Sequence, residues 1–173
     1  MGTRRPAFRY WGLFLCALTL SLPASADSSV KAKAIRTSKT ASARISHLSD
    51  IIFDSSAAMP GARQIEICVF ANSGGIYRLT AVSGNAQGTS LRLRSGGTYI
   101  TYYADWFAGL ANPTPTRLSS GLATGLLGGA DALDESCRGS TNARLQISLD
   151  PQSFAAAPAG TFVDTLSISV VPD

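Results

Sequence analysis

The chain has 173 residues, 45% hydrophobic and 15% charged, with a formal charge of +4, which is enough apolar material for one core and no second domain. Arg4, Arg5 and Arg9 hold much of the positive charge at the extreme start, and residues 45–173 carry a net −3. No basic stripe with interleaved aromatics is visible there, so nucleic acid is not expected as a partner.

The basic start runs into "WGLFLCALTLSL", an apolar stretch too short to span a bilayer comfortably, and then into Ala24-Ser25-Ala26, a small-x-small cleavage pattern. Residues 1–26 therefore read as a secretory signal peptide, with an uncleaved anchor as the lesser alternative. Residues 27–44, "DSSVKAKAIRTSKTASAR", are small, polar and basic, with Val30 and Ile35 as their sizeable apolar groups. Such a segment cannot bury enough surface to fold alone.

From residue 45 the pattern is one of short strands and turns. "RISHLSDIIF" leads to the loop "DSSAAMPGAR", and "QIEICVFA" follows with Ile65, Ile67 and Val69 in one phase. "NSGG" reads as a hairpin turn. "IYRLTAVS" puts Tyr77, Leu79 and Ala81 in phase; after "GNAQG", "TSLRLR" sets Leu91 and Leu93 inward against Arg92 and Arg94, and "TYITYYADWF" continues the alternation. The stretch from 111 to 136 is too rich in Gly, Pro and Ser for a regular helix and predicts a loop with one short strand. "NARLQISLD" places Leu145, Ile147 and Leu149 on one face, and a closing strand from Thr161 to Val171 places Phe162, Leu166, Ile168 and Val170 on one face. These last two strands read as a hairpin. Strands at this spacing predict a single all-β sandwich over residues 45–173.

Chemistry is sparse. Export leaves Cys68 and Cys137, and two thiols in an oxidising compartment are most simply one disulfide; metal binding is the rival reading, but with His47 they make no ligand set. His47 is the single histidine, and neither a nucleophile elbow nor a glycine-rich phosphate loop is present. Asp131, Asp134 and Glu135 match no calcium-loop spacing. No enzyme activity, cofactor or metal is expected. The aromatic run "YYADWF" is a candidate ligand platform that core packing of a sandwich strand explains better, and the loop "GLATGLLGGA", with exposed-looking leucines, is a weaker candidate contact surface.

The series "LSDIIF", "ICVFAN", "IYRLTAVSGN", "YITYYADW", Cys137, "NARLQISL" and "PAGTFVDTLSISV" resembles the spore coat protein U domain, the family that includes Csu-type subunits of archaic chaperone–usher pili. The resemblance implies an incomplete immunoglobulin-like β-sandwich completed by a donor strand. It implies a groove walled by Phe162, Leu166, Ile168 and Val170, filled first by a periplasmic chaperone and then by a neighbouring subunit at an outer-membrane usher. On this reading the protein is a structural pilus subunit, secreted through the periplasm to cell-surface fimbriae. Residues 27–44 are the candidate donor, with Val30, Ala32 and Ala34 in phase, but Ile35 breaks the phase and lysines are many, which points to a minor or terminal subunit. The alternative is a self-complete secreted sandwich that binds carbohydrate or protein at the cell surface.

Overall fold

The structure, a computed structural model, describes residues 40–53 and 61–173. The expected signal peptide and most of the extension, with Val30, Ala32 and Ala34, lie outside the described residues.

Among the described residues eight strands, one 3-10 turn and one short α-helix follow in order: β1 (Ala43–Ser46), β2 (Arg63–Ala71), β3 (Tyr77–Ser83), β4 (Leu91–Ser95), β5 (Thr98–Ala108), β6 (Thr116–Leu118), the 3-10 turn (Cys137–Gly139), β7 (Ala143–Leu149), α1 (Pro151–Ala156) and β8 (Leu166–Pro172). They form an all-β sandwich. The larger sheet runs β1-β2-β7-β5-β4, with β6 also paired to β5, and the smaller sheet is β3 paired with β8. Every strand pair is antiparallel.

Alternation decides which side chains meet between the sheets, because successive residues of a strand face opposite ways. Leu145, Ile147 and Leu149 of β7 and Tyr77, Leu79 and Ala81 of β3 all point into one core with Ile67, Val69, Ile100, Tyr102 and Trp106. Across the sandwich the Trp106 indole N–H donates to the Tyr77 hydroxyl at 3.1 Å, so the polar ends of two buried rings satisfy each other. From Cys68 onward β2 is buried on both faces. The reason is the disulfide Cys68–Cys137, with Cα atoms 5.9 Å apart, which draws the loop before β7 over the outer side of β2.

Three local expectations are corrected. "NSGG" makes no hairpin: β2 pairs with β1 and β7, while β3 pairs with β8, so the turn carries the chain from one sheet to the other. Gly74 and Gly75 supply φ of 74° and 78° for that arch, and a Cβ on Gly75 would sit 2.6 Å from the Ala130 carbonyl oxygen. Likewise β7 and β8 are not a hairpin. The connection between them, which includes α1, crosses from the larger sheet to the smaller one. Asp150 starts α1 by accepting the Ser153 backbone N–H at 2.9 Å, and Pro151 sits in its first turn. Finally, the closing strand begins at Leu166 rather than Thr161. Residues 161–165 instead run past β4, where Arg94 and Val163 exchange backbone hydrogen bonds of 2.9 and 3.0 Å.

Candidate functional site

The two edges of the smaller sheet are treated differently. The outer edge of β3 is occupied by the Gly-rich loop: Gly121 and Thr124 donate their backbone N–H to the carbonyls of Ala81 and Leu79 at 2.8 Å, and Leu127 and Tyr77 exchange bonds of 2.9 and 3.0 Å. Side chains help, with the Leu79 N–H donating to the Thr124 hydroxyl and the Ser83 N–H to the Ser120 hydroxyl. This is why so irregular a loop is well placed: it finishes a ladder.

Among the described residues the free edge of β8 has no such partner. β8 pairs with β3 along its whole length, from Leu166 opposite Ser83 to Pro172 opposite Tyr77. Among the described residues no strand pairs with its other side, and β1 comes close without forming a ladder. Beside that edge lies an open cleft of about 770 Å³. Its floor is the inner face of the larger sheet, including Ile65, Tyr102, Leu145 and Ile147. One wall is the segment 160–166 with Ile168; the other is residues 48–53, which follow a left-handed turn at His47 with φ of 64°.

Of the four residues expected to wall a groove, Phe162, Leu166 and Ile168 line this cleft. Val170 shares their phase and packs against the core, but is not among the lining residues. Leu166, Ile168 and Val170 of β8 are only half-buried, whereas their partners Ser83, Ala81 and Leu79 are buried. The wall from Leu48 to Phe53 was not anticipated. Its apolar run "LSDIIF" was the available signal, and Ile52 stands 78% exposed.

One polar anchor holds the 161–165 wall in place. The Asp164 carboxylate accepts from the Tyr102 hydroxyl at 2.6 Å, and from the backbone and side-chain nitrogens of Asn85, each at 3.1 Å. Burial, and then the Asp164 carboxylate, push the Tyr102 phenol far above its usual range, so it stays a donor. Elsewhere Asp131 and Asp134 lie low in the carboxylate range because they accept hydrogen bonds within their own loop, from Leu133 and Asp134 and from Ser136 respectively. Among the described residues no group of His, Cys, Asp and Glu is arranged to hold a metal ion.

A β-sandwich with a sheet edge unpaired above an apolar cleft is thus the architecture of the described residues. Against solved structures it matches a chain from a study described as "Chaperone-tip adhesin complex is vital for synergistic activation of CFA/I fimbriae biogenesis", with a TM-score of 0.53 at 12% identity, covering 76% of this chain. This chain spans 41% of that one, so the likeness is one of fold over part of a longer protein. No protein-family model and no curated protein matches the chain.

Proposed function

We propose that residues 45–173 form a strand-accepting structural subunit of an archaic chaperone–usher pilus, exported by residues 1–26 and preceded by the extension 27–44. The observation that carries this reading is the coincidence of a bare strand edge with an apolar cleft directly beside it. A small molecule could fill the cleft but would leave the backbone donors and acceptors of β8 unmatched. An added β-strand satisfies both at once, pairing with the ladder while its alternate side chains enter the cleft. Each large apolar side chain buried there contributes roughly 1.5–3 kcal/mol.

The likeness in fold to a chain from the study of a fimbrial chaperone–tip adhesin complex supports the same reading. In it a periplasmic chaperone covers the cleft first, and a neighbouring subunit replaces the chaperone at the outer-membrane usher. The extension carries Val30, Ala32 and Ala34 as its in-phase donors, and its lysines make it a weak one, which favours a minor or terminal place in a cell-surface fibre.

Periplasmic expression with and without a pilus chaperone tests the proposal. The chain alone should be degraded or aggregated, and the chaperone should rescue it and co-purify. A soluble, thermally robust monomer made without any chaperone, its cleft filled by nothing from residues 27–44, would overturn it in favour of a self-complete binding module.

A further inference from the structure

The outer face of the larger sheet, the side away from the cleft, carries a row of cations laid on aromatic rings. On β5 the outward residues Tyr99, Tyr103 and Phe107 recur every fourth position, so the row extends about 27 Å at the usual rise of a strand. The Arg92 and Arg94 guanidinium carbons of β4 lie 4.0 and 5.9 Å from the Tyr99 ring centre. Arg117 of β6 lies 4.5 Å from Tyr103, and Arg144 of β7 lies 4.2 Å from Phe107. No basic stripe was expected from the sequence, because these four arginines belong to three strands and only the register brings them together.

The acidic groups on this face offset the charge only in part. Asp105 is paired with Arg117 through two hydrogen bonds, Asp150 accepts from the Tyr103 hydroxyl, and Glu66, opposite Arg144 in the ladder, accepts from the Thr141 hydroxyl. Arg92, Arg94 and Arg144 make no ion pair among the described residues. Arg92 bonds carbonyl groups near residues 85–87 and Arg94 the Gly96 carbonyl, while the Arg144 Nε is buried with no partner.

We infer that this face binds an acidic polysaccharide bearing carboxylates, of the polyuronate class. A planar guanidinium presents paired donors that match a carboxylate; Arg94 and Arg144 keep terminal N–H groups with no acceptor among the described residues, whereas the Arg92 donors are bonded to residues 85–87 and Arg117 is already paired with Asp105. The stacked cations also cover the ring faces. Stacking of a neutral sugar or of a nucleobase, which needs an open aromatic face, is therefore disfavoured against a ligand that meets the guanidinium groups themselves. A strand occupying the cleft lies on the opposite side of the sheet and leaves the face free, so the inference stands apart from the proposed pilus role.

The test is retention of the mature chain, co-purified with a chaperone if it needs one and with chaperone alone as blank, on immobilised polygalacturonate, dextran and single-stranded DNA. Polygalacturonate should retain it at low ionic strength and release it as salt rises, and dextran should not retain it. Arg94→Gln with Arg144→Gln should weaken retention about tenfold or more, and the exposed Arg94→Gln alone by a smaller factor, both keeping the Cys68–Cys137 disulfide. Arg78→Gln, on the other sheet, should bind as the parent does. Equal retention on dextran, preference for DNA, no retention on polygalacturonate, or arginine variants that bind like the parent would overturn the inference.

Discussion

Ile168 lies directly across the ladder from Ala81, yet Ala81 is 1% exposed while Ile168 stands half-open on the wall of the cleft. The two belong to the same sheet and point to the same side of it. Their difference measures what the smaller sheet lacks beyond β8.

That contrast predicts how truncations will behave. Leu79→Ala, in the closed core, should cost about 2–5 kcal/mol. Ile168→Ala and Leu166→Ala should cost less in the unoccupied domain, because their surroundings are already open, and should approach the Leu79 value when a strand fills the cleft. Denaturant titrations of the domain with and without a bound strand check this. Equal costs in both states would mean that the cleft is not where the strand binds.

Removing the Cys68–Cys137 bond, which closes a loop with ends 69 residues apart, should cost about 2–5 kcal/mol. Reduction should also loosen the loop that covers the outer side of β2. Non-reducing peptide mapping should recover the two cysteines in one linked pair, and free thiols would contradict the fold.

The Tyr102 phenol makes stability sensitive to alkali. Its ionisation is raised in the folded state from an ordinary 10.0, so its contribution is whole below about pH 10 and declines as pH rises further, when the unfolded chain ionises first. Tyr102→Phe should remove this part of the alkaline loss. At neutral pH it should cost about 1–3 kcal/mol, since Asp164 would lose its shortest hydrogen bond.

Asp150 behaves in the opposite sense. The Ser153 backbone N–H, then the Tyr103 hydroxyl, hold its carboxyl below the usual 3.8. The unfolded state therefore takes up its proton first, and the contribution present above that value is lost as pH falls through the folded one. The stability difference between the parent and Asp150→Ala should shrink in acid and be constant near neutrality.

Gly75→Ala should disturb the capping loop more than the core. The new Cβ would meet the Ala130 carbonyl oxygen at 2.6 Å, at a φ that L-residues rarely adopt. Amide exchange at Tyr77 and Leu127 should accelerate, since their mutual bonds hold the loop on β3.

Strand existence and phase were legible in the sequence, because a period of two is a local property of neighbouring residues. Leu145, Ile147 and Leu149 face the core as their alternation predicts, and Phe162, Leu166 and Ile168 mark one wall of the cleft. The cysteine pairing was legible too, since the expected removal of Cys16 with residues 1–26 leaves Cys68 and Cys137, which allow one intramolecular bond. Which strands pair was not. "NSGG" is compatible with a hairpin and with an arch between sheets, and the choice rests on whether β3 gains more from β2 or from β8, a segment more than 80 residues away. The second wall at residues 48–53 and the bare edge of β8 depend on that choice, and the arginine row depends on the pairing of β4, β6 and β7 with β5. Partner selection is a contest among distant segments for the same backbone edges and the same core volume, and the tertiary structure is where that contest is decided.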